Sequence, residues 1–269
     1  MYNNWQLLQR WWQHYQKAAH SKGHGTHSPF VFAFIEQVLN NKGQRHAPTA
    51  IEQLRRSLLK DASVIPIVEL GAGSRTQNSL EKKVSQIAKT AVKPRRWGTM
   101  LYRLAQWQGP KTILELGTSL GISTAYFATA CPQARVVTIE GSPAVHRIAV
   151  HNFTALGLDN IQAYEGSFDD VLPQVLPGLC PVDLAYVDGN HRYEATRNYF
   201  HQLLSCKTEA SVFIFDDIHW SKGMEQAWDE IKAHPDVRCT IDLFFMGFVF
   251  FRTSFKVPQH FSIRMPLLP

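Results

Sequence analysis

The stretch ILELGTSLGIS, residues 113–123, decides the fold class of this chain. It begins as a short apolar run, passes through a turn that contains Gly117 and Gly121, and continues into residues with helical spacing. A strand, a glycine-containing turn and a helix in this order are typical of one repeat of a parallel α/β sheet. A near copy of the opening, IVELGAGS, lies upstream at 67–74. The residues after each copy therefore decide which of the two binds a ligand.

In such sheets the first turn holds the ligand, and an acid ends the second strand about 20 residues later. The downstream copy meets this condition, because ARVVTIEG supplies the strand and Glu140 lies 23 residues after Gly117. The upstream copy does not meet it, since a polar and basic helix follows. We interpret the upstream copy as a buried strand with a turn, or as a lining of the cleft.

The composition of the downstream turn also narrows the kind of ligand. It lacks the G-x-G-x-x-G of dinucleotide sites and the Gly-Lys-Ser/Thr of phosphate-binding loops. A nicotinamide-dependent dehydrogenase is therefore disfavoured. A wider turn with Thr118, Ser119 and Ser123 suits a nucleoside that carries an amino-acid tail, which indicates S-adenosylmethionine.

The rest of the chain completes the predicted sheet. Helix-compatible segments separate the first five of seven β-rich runs, and the last two runs follow each other closely. We therefore predict a doubly wound, mostly parallel, seven-stranded α/β sheet with an antiparallel C-terminal hairpin. The seven runs cover residues 112–117, 134–140, 160–164, 182–188, 210–216, 237–244 and 246–252.

The first 110 residues are predicted to be mostly helical, with one irregular stretch at 61–77. An amphipathic helix over 4–19 has Trp5, Leu8, Trp12 and Tyr15 at helical spacing. Ser28 and Pro29 are predicted to start a second helix, and Asn78 with Glu81 a helix over 79–91. Further helices are predicted over 49–60 and 97–107. The predicted domains are a helical extension or lid over 1–110, a cofactor-binding domain over 111–255 and a tail over 256–269.

Charge is distributed unevenly along the chain. Residues 1–110 carry 16 Lys/Arg against 5 Asp/Glu, a net +11, whereas residues 111–269 carry 12 against 17, a net −5. The basic segment fits a nucleic acid, an anionic substrate or an acidic surface, or simply a solvated helical face.

Several features of the sequence indicate the cellular location of the protein. No apolar run approaches the roughly 20 residues that span a bilayer, and the N-terminus lacks an apolar signal-peptide core. Cys131, Cys180, Cys206 and Cys239 are scattered, which predicts reduced thiols in a cytoplasmic protein.

The run ILELGTSLGISTAYFA resembles the first motif of class I S-adenosylmethionine-dependent methyltransferases. Its E-L-G-x-x-x-G-x-S form is most similar to the small-molecule O-methyltransferases of the catechol and caffeoyl-coenzyme A groups. The resemblance covers about 111–252, and GTMLYRL, 98–104, is similar to the helix before their first strand.

The resemblance implies a set of cofactor contacts. Those around the methionine part and the sulfonium are Glu115, Gly117, Thr118, Ser119, Gly121 and Ser123. Glu140 is implied to hold the ribose, and Gly141 to lie beside the adenine. Ser167 and Phe168 are implied to pack against the adenine, although Phe168 also fits a core aromatic.

A second group of residues follows the fourth and fifth strands. In DLAYVDGNHRYEA and VFIFDDIHW, the strand ends bring Asp188, Asp216 and Asp217 toward the cofactor. Three close carboxylates repel one another unless a cation compensates, and oxygen ligands suit Mg²⁺. The resemblance implies a metal that chelates the oxygens of the substrate. In the metal-dependent O-methyltransferases the second acid pair is often Asp-Asn. The Asp216–Asp217 pair of this chain departs from that pattern by one added charge.

His191 lies three residues after Asp188, where catechol-type enzymes carry a lysine general base. The Asp-x-x-His form resembles sugar O-methyltransferases of macrolide biosynthesis, in which the histidine is the base. An imidazole with a pKa near 6.5 suits proton removal at neutral pH.

His219 and Trp220 either line the substrate pocket or open the next helix. His20, His24 and His27 do not predict zinc, because Gly23 and Gly25 interrupt their helix spacing; a mobile loop over the active site or a plain turn fits better.

We therefore predict methylation of a hydroxyl on a small molecule, assisted by Mg²⁺ and His191. One alternative is a methyltransferase of RNA or another nucleic acid that uses the basic segment, although VDGNHRY lacks the Asn/Asp-Pro-Pro-aromatic motif of base-amine methylation. The other is a non-catalytic S-adenosylmethionine-binding protein, against which the retained acids argue.

Overall fold

A computed structural model of the chain describes residues 1–20, 28–41, 48–68 and 79–265. They form two units of dense internal contacts. The first unit comprises residues 1–40 and 179–269, and the second comprises residues 41–178. Within the described ranges, no helix combines the length and the apolar character that crossing a membrane requires.

The helices and strands are numbered separately in chain order. The helices are α1 (Asn4–Lys17), α2 (Pro29–Phe34), α3 (Thr49–Leu58), α4 (Val84–Thr90), α5 (Arg95–Gln108), α6 (Ile122–Ala130), α7 (Pro143–Ala155), α8 (Phe168–Val175), α9 (Tyr193–Leu204) and α10 (Lys222–Ala233). A π-helical turn (Ile35–Leu39) continues α2, and a 3₁₀ turn (Leu176–Gly178) follows α8. The strands are β1 (Val64–Val68), β2 (Ser79–Lys83), β3 (Thr112–Leu116), β4 (Arg135–Glu140), β5 (Ile161–Glu165), β6 (Leu184–Val187), β7 (Val212–Asp216), β8 (Cys239–Asp242), β9 (Met246–Phe250) and β10 (Gln259–Ser262).

The second unit is built on three parallel strands in the order β3-β4-β5. Leu114 pairs with Val137 and Val137 with Gln162, so the register continues across the sheet. A separate antiparallel hairpin joins β1 and β2. Apolar residues of α3, α4, α6 and the hairpin form one buried cluster, which includes Ile51, Ile67, Ile87 and Tyr126. The helices α3, α4 and α6 and the hairpin are therefore held together by a shared core.

The first unit is built on five strands in the order β6-β7-β9-β8-β10. β6 and β7 are parallel, β9 is antiparallel to both of its neighbours, and β10 is parallel to β8. The predicted antiparallel hairpin is thus confirmed as β8–β9. The N-terminal segment joins this unit at its far end, where the Ala19 amide donates to the Ser262 carbonyl at 2.8 Å and the Arg264 amide to the Ala19 carbonyl at 3.0 Å.

The predicted mostly parallel α/β architecture is confirmed, with one change in strand number. All seven predicted strands are present in the described residues, and β10 adds an eighth. Part of the predicted tail over 256–269 is therefore a strand. The predicted domain boundaries at 110 and 255 stay predictions, since the contact units divide the chain elsewhere.

Two predictions in the N-terminal region are wrong. The helix predicted over 79–91 begins only at Val84, because Ser79–Lys83 pairs with β1 as a strand. The stretch predicted as irregular, 61–77, contains β1 for the same reason. Asn78, proposed as a cap, lies outside the described residues. The Ser28–Pro29 helix start is confirmed, since the Ser28 hydroxyl accepts the Val31 amide.

The predicted helix α1 is present, but three of the four residues in its predicted apolar stripe are exposed. Trp5, Leu8 and Trp12 are 75%, 52% and 53% exposed, whereas Tyr15 is half-buried. Leu7, Trp11 and His14, outside the predicted stripe, are also half-buried. The pattern contained two apolar stripes, and spacing alone could not rank them.

The prediction of four reduced thiols is also wrong, because Cys180 and Cys206 form a disulfide. Cys131 and Cys239 are free. The cytoplasmic location was inferred from the thiols, and it stays a prediction without that support.

Candidate functional site

The glycine turn after β3 has a backbone that few residues other than glycine adopt. Gly117 and Gly121 have φ values of 106° and 83°, and Ser119 between them has 47°. The amides of Gly117 and Thr118 both donate to the Ile139 carbonyl, at 3.0 and 3.2 Å. The turn is therefore held against the end of β4, and it leads directly into α6.

Gly121 is required for a second reason, which is close packing. A Cβ atom at this position would lie 2.5 Å from Cε1 of Phe153 on α7. Any larger residue would have to push α7 away from the turn. The close approach explains why the sequence has glycine at the start of α6.

A chain of buried hydrogen bonds joins the turn to β3, β4 and α6. Glu115 is fully buried in β3, and its Oε2 accepts the hydroxyls of Thr124 and, at 2.7 Å, Thr138. The Thr138 hydroxyl is 2.6 Å from that of Thr118. Because Thr138 donates to Glu115, Thr118 must be the donor in this second bond. Thr118, predicted as a cofactor contact, thus has its hydroxyl directed into the protein.

Glu140 closes the turn from the end of β4. Its Oε2 accepts the Ser119 amide at 2.8 Å, and its Oε1 accepts the Ser142 amide at 2.9 Å. Burial raises the pKa of Glu140, and the backbone amides that it accepts oppose the shift only in part. A carboxylate has about four acceptor positions, so both oxygens retain room for the hydroxyls of a ribose.

The remaining predicted cofactor contacts lie around the same turn and the following strand ends. The Ser119 hydroxyl oxygen is buried and has no hydrogen-bond partner among the described residues. Ser123 and Gly141 are half-buried. The Ser167 hydroxyl caps α8 by accepting the Asp170 amide at 3.2 Å. Phe168 is half-buried, so it is not a fully buried core aromatic, and its role stays a prediction.

The upstream copy is partly visible beside this site. The amide of Val68, the last residue of β1, is 3.3 Å from the Ser142 hydroxyl and donates to it. This contact agrees with a lining of the cleft. The predicted turn itself, 69–74, lies outside the described residues, as do His24 and His27.

A polar pair that the sequence did not indicate supports α6. Tyr126 on α6 donates to Oε1 of Glu52 at 2.5 Å, and Arg55 forms a two-pronged bond to the same carboxylate. Burial, assisted by Glu52, raises the pKa of Tyr126 far above its usual range. Glu52 and Tyr126 are 74 residues apart, so no local pattern could have revealed the pair.

The first unit brings the second predicted group together. Asp188 follows β6, His191 follows Asp188, and Asp216 ends β7. One ligand atom from each of these three residues lies within 4.8 Å of the others. Asp216 is 1% exposed, and Asp188 accepts the Tyr186 hydroxyl at 2.9 Å. The donor set of two carboxylates and one imidazole is one that divalent cations accept.

Asp217, the third predicted acid, lies at the side of this group. Its Oδ2 is 3.8 Å from Nε2 of His191, which is also 3.7 Å from Oδ1 of Asp188. The imidazole therefore lies between two carboxylates. The geometry groups Asp188 and Asp216 with His191, whereas the sequence grouped them with Asp217.

His219 does not line an open surface but joins two carboxylates of its own unit. Its Nε2 is 2.9 Å from Oδ2 of Asp242, and its Nδ1 is 3.2 Å from Oε1 of Glu225. Burial disfavours the charged ring, but the two carboxylates outweigh it and raise the pKa of His219 to about 9. The ring is therefore a cation at neutral pH, and both nitrogens donate.

The N-terminal segment approaches the same two carboxylates. Tyr2 and Arg10 contact Glu225 at 2.8 and 2.6 Å. Nε2 of His14 is 3.1 Å from Oδ1 of Asp242. In addition, the Tyr2 amide donates to the Trp220 carbonyl at 3.1 Å. Within the first unit, α1 is thus attached to the segment that follows β7.

Comparison with known proteins agrees with this geometry. A family described as a methyltransferase domain matches residues 114–218, which include the glycine turn, Glu140 and all the predicted acids. These residues are therefore similar to a methyltransferase domain.

Two relatives illustrate how far the similarity extends. The catechol O-methyltransferase of Niastella koreensis is 32% identical over 124 residues, covering 45% of this chain and 55% of the relative. An O-methyltransferase of Aspergillus hancockii is 33% identical over 128 residues, covering 44% of this chain and 48% of the relative. The chain spans about half the length of both relatives.

Two solved structures have a fold similar to that of this chain. The O-methyltransferase of Bacillus cereus, in complex with S-adenosylhomocysteine, has a TM-score of 0.58 at 20% identity and covers 77% of this chain and 92% of its own. The O-methyltransferase TomG of Streptomyces achromogenes, in complex with S-adenosylmethionine, has a TM-score of 0.53 at 22% identity, with coverage of 60% and 82%. The chain therefore shares its fold with these two O-methyltransferase structures.

Proposed function

We propose that this protein transfers a methyl group from S-adenosylmethionine to a hydroxyl of a small molecule, with a divalent cation and His191 as general base. The observation that carries the proposal is the grouping of Asp188, His191 and Asp216 within 4.8 Å. Two acids and an imidazole at the carboxyl ends of neighbouring strands are the parts that such a reaction needs.

The turn after β3 fits the cofactor in three respects. The buried Ser119 hydroxyl offers a hydrogen bond that no described residue uses. Glu140 is fixed by two backbone amides and retains acceptor positions for ribose hydroxyls. The positive φ values of Gly117 and Gly121 allow the sharp turn on which Ser119 lies. The solved structures in complex with S-adenosylmethionine and S-adenosylhomocysteine support the same cofactor.

The acids fit a hard divalent cation such as Mg²⁺. Asp188 and Asp216 would hold it, and Asp217 is the third acid that the sequence predicts for the set. When bound, the cofactor supplies a methyl group on a sulfonium and the cation lowers the pKa of the acceptor hydroxyl. The protein has to hold the acceptor oxygen about 3 Å from the methyl carbon and exclude water.

His191 is proposed to take the hydroxyl proton at Nε2. This atom lies between the carboxylates of Asp188 and Asp217, at 3.7 and 3.8 Å. Both carboxylates stabilise the imidazolium that proton transfer creates. The same short distances would also allow His191 to be a metal ligand, and the two roles have different experimental signatures.

A small molecule with two adjacent oxygens is the proposed acceptor, because chelation orients one oxygen for attack while the other anchors it. Vicinal diols and catechols are the first compounds to screen. The relative from Niastella koreensis, named as a catechol O-methyltransferase, supports this class. Nucleic acid is not proposed as the acceptor.

The test is Mn²⁺ binding to the protein loaded with S-adenosylhomocysteine, measured by water-proton relaxation. We expect one site that is lost in Asp188→Ala and in Asp216→Asn. His191→Gln should retain the site and lose methyl transfer. Loss of Mn²⁺ in His191→Gln would instead make this residue a ligand. Absence of binding in the unmodified protein would remove the metal from the proposal.

A further inference from the structure

We propose that His219 and Asp242 are positioning residues that set the Asp216–Asp217 acid pair through the strained turn between β8 and β9. The inference rests on the proposed function, because it assigns a support to the proposed metal site. It also gives the histidine after the acid pair a role that does not require contact with the substrate.

The strained residue in this turn is Phe244. Its φ of 73° lies in the left-handed region, which a bulky side chain rarely adopts. Phe244 is 3% exposed. Its amide donates to Oδ1 of Asp242 at 2.8 Å, and its ring stacks on His219 with centroids 5.1 Å apart and an interplanar angle of 18°. Asp242 and His219 thus hold the strained conformation from both sides.

The next residue, Phe245, connects the strained turn to the acid pair by a hydrogen bond. The carbonyl of Phe245 accepts the amide of Asp217 at 2.6 Å. Asp217 itself has a φ of 53°, also in the left-handed region. Two strained backbones are therefore joined by one short hydrogen bond, directly after the buried Asp216. Backbone strain of this kind persists only where the surroundings over-determine it, and it concentrates at functional sites.

Asp242 is suited to this role because its acceptor positions are filled. Besides the Phe244 amide, it receives Nε2 of His219 at 2.9 Å and Nε1 of Trp228 at 3.2 Å. Nε2 of His14 lies 3.1 Å from the other oxygen. A buried carboxylate with this many partners has one orientation, so it holds the turn in one position.

His219 also closes the segment that carries Asp217. The Trp220 amide donates to the Asp217 carbonyl at 2.9 Å, so His219 lies inside a tight turn that begins at the acid. A change in the position of the His219 ring therefore acts on Asp217 along the chain and, through Phe244 and Phe245, across the sheet. Both routes end at the same acid.

The experiment compares His219→Gln with His260→Gln. His260 is a suitable control because it is an exposed histidine of the same unit, outside the proposed support, whose Nδ1 is 2.9 Å from the Thr240 hydroxyl. Mn²⁺ affinity with S-adenosylhomocysteine bound, kcat, KM and the melting temperature are measured for each. We expect His219→Gln to weaken Mn²⁺ binding roughly tenfold, the usual effect of removing a residue that orients a ligand. His260→Gln should leave Mn²⁺ affinity unchanged.

The outcomes separate this inference from the proposed function. If the unmodified protein binds no Mn²⁺, the metal part of the proposed function fails and this inference fails with it. If it binds Mn²⁺ and His219→Gln binds equally well, only this inference is overturned. Should His219→Gln not fold, Glu225→Gln perturbs the same ring from its other nitrogen, and unchanged Mn²⁺ affinity in that variant overturns the inference.

Discussion

Thr118 donates its hydroxyl proton to Thr138, because Thr138 directs its own proton to the buried carboxylate of Glu115. The hydroxyl of the next residue, Ser119, is buried without a hydrogen-bond partner among the described residues. Two adjacent hydroxyls in one turn therefore have different surroundings. The first holds the turn to the sheet, and the second is the one that the proposed function assigns to the cofactor.

Substitutions at these two positions should affect different properties, namely cofactor binding at Ser119 and stability at Thr118. Ser119→Ala is expected to weaken binding of S-adenosylhomocysteine by about 3- to 10-fold, the equivalent of one hydrogen bond, with unchanged stability. Thr118→Val should lower the free energy of unfolding by about 1 kcal/mol, because it removes a buried donor. Calorimetry and urea unfolding measure the two effects. Equal cofactor affinity in Ser119→Ala and the unmodified protein would contradict the assignment.

Two glycines with positive φ should respond differently to alanine. Gly109→Ala, at the end of α5, adds only the cost of a left-handed backbone, about 1–2 kcal/mol, because no atom lies within 4 Å of the new Cβ. Gly121→Ala adds overlap with Phe153 and should cost roughly 2–5 kcal/mol in total. Urea unfolding of both variants tests this order. A cost at Gly121 no larger than at Gly109 would show that α7 yields easily.

The buried Glu52–Tyr126 pair should contribute to stability. Tyr126→Phe leaves Oε1 of Glu52 without its hydroxyl donor in a buried place and is expected to cost about 1–3 kcal/mol. Tyr102→Phe is the matched control, since the Tyr102 hydroxyl accepts an exposed bond from Gln106. That variant should unfold within about 0.5 kcal/mol of the unmodified protein. Similar losses in both variants would refute a special role for the pair.

The stabilisation that His219 contributes to the folded protein should be lost in mild alkali. Its pKa is raised from 6.5 to about 9, so the folded state holds a proton that the unfolded state releases. The resulting stabilisation is fully present below pH 6.5 and is lost as the pH rises through about 9, by at most about 1.4 kcal/mol per pH unit. Melting temperatures between pH 7 and 9.5 should therefore fall more steeply for the unmodified protein than for His219→Gln. Parallel curves would mean that the ring is neutral in the folded state.

The sequence predicted those parts of the fold that depend on local pattern. The β-branched runs, the glycine turn and the spacing from Gly117 to Glu140 identified the sheet and the turn that is proposed to hold the cofactor. They did so because strand, turn and helix each leave a periodic or compositional signal within about ten residues. The grouping of Asp188 with Asp216 was also predictable, because parallel strands end at one edge.

The parts that escaped prediction depend on distant partners. Thr138 and Thr124 look like ordinary strand and helix residues until they face Glu115. Asp242, which joins His14 to His219, has no local signal apart from being an acid in an apolar strand. An acid in such a run is the one clue that could have indicated a buried network, because an unpaired charge there would be too costly. The same reasoning applies to Glu115.

The seam between Ala19 and Ile263 has a practical consequence for anyone who shortens or tags this chain. The two segments are hydrogen-bonded in both directions, and Ala18 and Ile263 are almost fully buried. Trimming either segment would uncover an apolar edge and free backbone groups that the other segment now satisfies. Truncations that look harmless from their position near one end should therefore be judged by the behaviour of the opposite end.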